Sequence, residues 1–209
     1  DGPCAQWVAA DLEKHNLVLL STWEYGFRQT TNSVRPINTA KDLAGLSMRT
    51  PPEIQFVAAF EAAGCNVQQI AFNELYLSLQ QGLVHGQENP LSTILANKLY
   101  ETQPYLAITN HIYSSQVHVI GKNVWDRLTK EQQRIIREES IAAGKYMREL
   151  VISQEEDYLN KLIGLGVKVT YPDVAEFRQA MQPAYNVISN YAGAQNMKEF
   201  LEMVEGCRK

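Results

Sequence analysis

The sequence predicts an α/β protein built as two lobes that share one long strand and one long helix. Three observations carry that class. Short apolar runs alternate with capped helical stretches from residue 5 to about residue 100, the pattern of a mostly parallel sheet covered by helices. Residues 106–120 contain no Gly or Pro and are apolar at both ends but polar in the middle (Asn110, His111, Ser114, Ser115, Gln116). Extended at ~3.3 Å per residue that stretch reaches about 50 Å, far beyond an ordinary strand of ~5–6 residues. The third observation is a helical pattern opened by Thr129-Lys130-Glu131-Gln132, a capping-box sequence, and continuing to about Leu165. At ~1.5 Å per residue it is about 50 Å long, against a diameter of ~43 Å for a globule of this size, so it spans the whole body. Two lobes strapped by these elements leave a cleft between them, with the polar middle of the long strand facing it.

Each element follows from local chemistry. Ala5–Lys14 forms a short helix with Val8, Ala9 and Leu12 on one face, and Leu17–Leu20 a buried strand. Asn32–Asn38 is polar, carries Pro36, and reads as loop. A strand at Leu46–Arg49 follows Gly45. Thr50-Pro51-Pro52-Glu53 then opens a helix with Thr as N-cap, Pro at the first position and an acid in the first turn. Gly64 ends it. Residues 65–71 form a strand, Asn73 caps a helix that stops at Gly82, and Asn89-Pro90 opens the next helix, with Leu91, Ile94, Leu95 and Leu99 inward. Beyond the long helix lie a strand at Val167–Thr170, a helix from the Asp173 cap that Pro183 kinks, and a last helix over Asn196–Val204.

Composition excludes several classes. The 209 residues are 45% hydrophobic and 20% charged, with a formal net charge of −4 and a pI near 5.6, which is neither a disordered chain nor one with a nucleic-acid footprint. No stretch approaches the ~20 apolar residues of a membrane-spanning helix. Cys4, Cys65 and Cys207 allow at most one bridge and form no CxxC or Cys/His metal spacing; no cofactor is implied. The four histidines show no HxH or HExxH pattern, and there is no GxSxG, GxGxxG or P-loop. The opening residues carry no signal-peptide pattern and name no compartment.

The candidate site starts at Arg49, at the carboxyl end of a predicted strand and beside a predicted helix N-terminus, where open α/β sheets bind ligands. A guanidinium there suits a carboxylate, because Arg presents a rigid bidentate fork; the plain alternative is a surface Arg paired with Glu53. Asn89 caps a helix or faces a ligand. Arg28, after Trp23 and Phe27, belongs to a sugar or carboxylate pocket or stacks on a ring at a half-buried edge. Phe72 is a pocket wall or a staple before a helix.

Taken in order, Arg28-Gln29-Thr30-Thr31-Asn32, Arg35-Pro36-Ile37, Asp42–Arg49, Phe72–Tyr76, Leu79–Gly82, Gly86-Gln87-Glu88-Asn89-Pro90 and Thr109-Asn110-His111 resemble the solute-binding proteins of TRAP transporters, the DctP-like family. The resemblance implies a periplasmic-binding-protein-like fold of mixed sheets flanked by helices. It implies a periplasmic protein that captures a small organic acid, a sugar acid such as a uronate or sialate, and delivers it to a TRAP membrane permease. It gives Arg49 the role of carboxylate clamp and Arg28 that of second arginine, with Phe72 packing on the ligand and Asn89 hydrogen-bonding to it. Glu88, His111 and Gln116 match positions that line the pocket or hold its waters, and Glu53 with Pro52 falls where a loop meets the ligand. His85 departs from the Asp usual in relatives. Against the family the chain begins late and lacks the opening β-α units, so the first lobe is incomplete and a dimer of the chain is one way to compensate. The expected division is residues 1–25 as the remnant of the first lobe, 26–114 as the second lobe, and 115–209 as crossover strand, long helix and C-terminal helices. The other readings are an enzyme using His111 and Glu88 as acid and base, or a sensory module on the same scaffold.

Overall fold

The computed structural model describes residues 2–207. In chain order the elements are α1 (Pro3–Lys14), β1 (Leu17–Asn32), β2 (Ser47–Thr50), α2 (Ile54–Ala62), β3 (Asn66–Gln69), α3 (Phe72–Gln80), β4 (Gly86–Asn89), α4 (Leu91–Ala96), β5 (Tyr105–Gly121), α5 (Lys122–Trp125), α6 (Lys130–Gly164), β6 (Lys168–Thr170), α7 (Val174–Met181), α8 (Ala184–Ala192) and α9 (Ala194–Gly206). The alternation, the long strand, the long helix and the C-terminal helices are as the sequence predicts. α6 is capped reciprocally: Thr129 Oγ1 accepts from Gln132 N, and Thr129 N donates to Gln132 Oε1. Asp173 caps α7 by accepting from Ala175 N at 2.8 Å.

Several expectations are corrected, and two of them share one cause. Thr50 is not an N-cap. It is the last residue of β2, and α2 begins only at Ile54 after Glu53. Asn89 is likewise the last residue of β4, not a helix cap. Both precede proline, whose ring drives the preceding residue out of the helical region into extended backbone. Arg49 therefore stands beside a Thr-Pro-Pro segment that bends at Pro52, rather than beside a helix N-terminus. α3 starts at Phe72 with Ala71 as N-cap, so Asn73 caps nothing. β1 is 16 residues long, not four; Trp23, Phe27 and Arg28 lie inside it. Pro183 separates α7 from α8 instead of kinking one helix.

The chain divides into two compact units. One comprises Asp1–Gly26, Ser114–Gln154 and Gln195–Lys209, the other Phe27–Tyr113 and Glu155–Ala194. In the first, a polar clasp joins strand to helix: Ser21 Oγ donates to the Ser140 carbonyl at 3.0 Å, Trp23 Nε1 donates to Ser21 Oγ at 2.9 Å, and His118 Nδ1 lies 2.8 Å from Ser140 Oγ. α6 packs closely on β1 here, because a Cβ at Gly144 would sit 2.9 Å from the Thr22 carbonyl. α1, α5 and α9 contain no fully buried residue.

The second unit holds the sheet registers and both hydrophobic cores. Strand order is β3-β2-β4-β1-β5-β6, and the sheet is mixed: β2 is parallel to β3 and β4, β5 to β6, while β4 is antiparallel to β1. One core gathers Leu46, Met48, Phe60, Phe177 and Met181 beneath α2, α7 and α8. The other gathers Leu75, Leu79, Ile94, Leu106 and Leu162 beneath α3, α4 and α6. Cys4, Cys65 and Cys207 are all free thiols, and burial pushes the Cys65 thiol up to about 12. Among the described residues no helix is long and apolar enough to cross a membrane, and no group of His, Cys, Asp and Glu could hold a metal ion.

Candidate functional site

The predicted site residues of the second unit converge on one end of the sheet, the carboxyl ends of β2 and β4. Strand alternation splits them between its two faces. The register pairs Arg49 with Gln87, Thr31 with Gln87 and Gln29 with Asn89, which share one face; Thr30 pairs with Glu88 on the other.

On the α2 face, Glu88 is fully buried and shared by Arg28 and His111. Arg28 Nε donates to Glu88 Oε2 at 2.5 Å and Nη2 to Oε1 at 2.8 Å, a fork on a carboxylate inside the protein. Nη2 also reaches the Glu88 carbonyl at 3.0 Å and Asn89 Oδ1 at 3.1 Å, and the guanidinium lies 4.7 Å over the Phe56 ring. His111 Nε2 stands 3.3 Å from Glu88 Oε2, and its Nδ1 is 2.7 Å from Thr109 Oγ1, which contacts Thr30 Oγ1 at 3.2 Å. A carboxylate only accepts, so the His111 proton belongs on Nε2, and Thr109 holds the tautomer. The Phe60 ring meets this imidazole edge-on at 5.1 Å. Glu88 is thus a satisfied, pre-organised anion.

On the opposite face Arg49 is in a different condition. It is 2% exposed, its Nε donates to the Ile70 carbonyl at 2.8 Å, and its guanidinium lies 6.0 Å from the Phe72 ring. Among the described residues no carboxylate comes within ion-pair distance of it. Burial pulls its pKa below the ordinary arginine value; the charge of Glu88 opposes this, Arg28 adds to the lowering, and Glu53 opposes it more weakly. Beside it, Thr50 Oγ1 is buried with no hydrogen-bond partner. A buried guanidinium without an acid is costly to fold around.

Asn89 is 3% exposed and joins Arg28 to Gln87. Its Nδ2 donates to Gln87 Oε1 at 2.5 Å and its Oδ1 accepts from Arg28; Gln87 Nε2 donates in turn to Thr31 Oγ1 at 2.8 Å. Sequence reasoning missed Gln87, Thr30, Thr31 and Thr109, which hold these side chains in place. The available signal was weak: consecutive polar runs at Arg28–Asn32 and Gln87–Asn89 that alternation does not mark as strands. Phe72 is 46% exposed as the first residue of α3. Glu53 is exposed as the N-cap of α2. Gln116 belongs to the first unit, where it is exposed on β5. His85 has its own structural task, its Nδ1 accepting from Ser47 N at 3.0 Å.

Residues 1–191 match the family described as bacterial extracellular solute-binding protein, family 7. The chain belongs to this family. It is 37% identical over 182 residues to the sialic acid-binding periplasmic protein of Vibrio cholerae, covering 87% of this chain and 56% of that protein. It is 34% identical over 169 residues to the 2,3-diketo-L-gulonate-binding periplasmic protein of Escherichia coli, covering 81% and 52%. Among solved structures, the sugar acid binding protein of Advenella mimigardefordensis in complex with galactonate superimposes with a TM-score of 0.92 at 30% identity, over 99% of this chain and 67% of that one. The chain thus spans a little over half the length of these curated relatives. The family 7 relatives are binding proteins of transporters, not enzymes. Both Glu88 oxygens and both His111 nitrogens are engaged inside the protein.

Proposed function

We propose that this protein captures a small monocarboxylate of the sugar-acid class outside the cytoplasm and delivers it to a TRAP membrane permease, with Arg49 gripping the carboxylate. The observation that carries this is the unpartnered, buried Arg49 at the carboxyl ends of β2 and β4. A cation held there without an acid is completed by an acid brought from outside, and the fork left by the Nε–Ile70 bond presents its outer nitrogens to two carboxylate oxygens. Half-exposed Phe72 offers an apolar face for the carbon skeleton, as aromatic rings do for sugar C–H groups. Asn89 stands beside the carboxylate with its amide oriented by Gln87 and Arg28, and the Arg28–Glu88–His111 group is a fixed wall that contributes field and rigidity. The relatives' own ligands (sialic acid, 2,3-diketo-L-gulonate and galactonate) support the sugar-acid class. Periplasmic placement rests on the same relatives.

Titration calorimetry with glucuronate, galactonate and sialate tests the reading. At least one binds the native chain saturably, Arg49→Ala loses over about a hundredfold in affinity, and Arg49→Lys, which keeps charge but not the fork, loses most of it. Undiminished binding by Arg49→Ala overturns the assignment. Recovery of the ligand chemically unaltered separates capture from turnover.

A further inference from the structure

A second cavity in the same unit, of about 410 Å³, lies between α7, α8 and the strand pair β1–β5. His111, whose imidazole faces Glu88, is among its lining, whereas Arg49, Phe72, Glu88 and Asn89 are not. Its large apolar and aromatic side chains are unusually exposed: Phe27 is 42% exposed, Tyr113 50%, Val174 41% and Tyr185 43%. Phe27 and Tyr113 are stacked edge-to-face at 5.0 Å, which holds both rings at the mouth. The volume falls within the ~300–1,000 Å³ range of small-molecule sites.

Arg178 and Asn110 bring donors to this cavity, beside His111, Tyr113 and Tyr185. Val174, Arg178 and Met181 line it from one face of α7, and no carboxylate lies within ion-pair distance of Arg178 among the described residues. Asn110 reaches it from β5, where its backbone is left-handed at φ 43°. The orientation of its amide is set by a reciprocal pair with Gln29: Asn110 N donates to Gln29 Oε1 at 3.0 Å, so Gln29 Nε2 is the donor to Asn110 Oδ1 at 2.6 Å. That leaves Asn110 Nδ2 as a donor with no protein acceptor among the described residues. No acidic side chain lines the cavity. A guanidinium and an amide N–H above ring and methyl surface match an anion carried on a largely apolar body.

We propose that this cavity is a second ligand site, selective for aryl or branched acyl monocarboxylates, with Arg178 pairing the carboxylate, Asn110 donating to it, and Phe27, Tyr113 and Tyr185 holding the apolar part. Arg178 is exposed on its helix, so its replacement leaves the fold intact and the sugar-acid site untouched.

Phenylacetate is the probe, followed by nitrogen-15 chemical-shift mapping of the whole chain. Saturable shifts centre on residues 110–113 and 174–185, Arg178→Gln and the neutral probe phenylacetamide each weaken binding by about tenfold or more, and Arg49→Ala leaves phenylacetate binding unchanged. Equal binding of acid and amide, loss of phenylacetate binding in Arg49→Ala, shifts centred elsewhere, or no saturation at 10 mM, about the weakest site such an assay defines, each overturns the proposal.

Discussion

Two buried arginines on one sheet end should respond oppositely to the same apolar replacement. Arg28 is 5% exposed and Arg49 2%, yet Arg28 forks onto Glu88 while Arg49 has no acid. Removing Arg28 strands Glu88 with only His111 beside it, and breaking a buried pair from one side costs about 3–5 kcal/mol. For a chain of this length that lowers Tm by about 6–20 °C. Removing Arg49 instead relieves several kcal/mol of uncompensated desolvation. What is lost is a charged hydrogen bond to the Ile70 carbonyl, about 2 kcal/mol, and a long contact with a half-exposed ring, ~0.5 kcal/mol. Leaving the carbonyl without that donor adds about 1 kcal/mol of cost. Arg49→Met therefore gains about 1–2 kcal/mol, and its Tm rises by about 2–8 °C. Thermal unfolding followed by circular dichroism without ligand reads both variants. In saturating sugar acid the order reverses: at a hundred times Kd the native chain gains about 2.7 kcal/mol and Arg49→Met gains nothing. An Arg49→Met variant clearly less stable than the native chain without ligand would refute the reasoning, because folding would then rely on contacts for which the geometry shows no source.

Two further outcomes follow from local geometry. Asp42 Oδ2 accepts from Thr39 N and Asn38 N, both at 2.9 Å, and these backbone donors hold its carboxyl below the usual 3.8. Its folded pKa being depressed, the stabilisation is whole above that ordinary value and is lost as pH falls through the folded one. Urea unfolding of Asp42→Asn should show a deficit of about 1 kcal/mol at pH 7 that closes in strong acid; a gap independent of pH removes the assignment. At Gly86 an added Cβ would strike the Thr31 carbonyl and lie 2.8 Å from Met48 Sδ and 2.9 Å from Asn32 Cβ. Gly86→Ala should cost about 3 kcal/mol, whereas Gly164→Ala, facing open space at the end of α6, should gain ~0.5 kcal/mol. Equal melts for the two variants would contradict the packing at β4.

Much of the fold was legible because local chemistry acts over a few residues. The Thr129 capping box and the uninterrupted stretch 106–120 each gave an element with nearly its observed bounds, and the Asp173 cap gave the start of α7. The errors at Thr50 and Asn89 were legible too, since proline restrains its preceding neighbour whatever the tertiary context, and cap propensity was weighed above that restraint. β4 is another matter. Gly86-Gln87-Glu88-Asn89 has no apolar residue and is wholly buried, so neither periodicity nor hydrophobicity marks it as a strand.

What the sequence by itself determined is the inventory: the order of helices and strands, the long connecting elements, and the cationic and aromatic residues available to a site. Only the tertiary structure decided which of two arginines is spent and which is open. Glu88 lies sixty positions from Arg28, and an antiparallel β1–β4 pairing rather than any local spacing brings them together. That pairing neutralises one guanidinium and, by strand alternation, turns Arg49 to the opposite face, where no side chain of the described chain supplies its counter-charge.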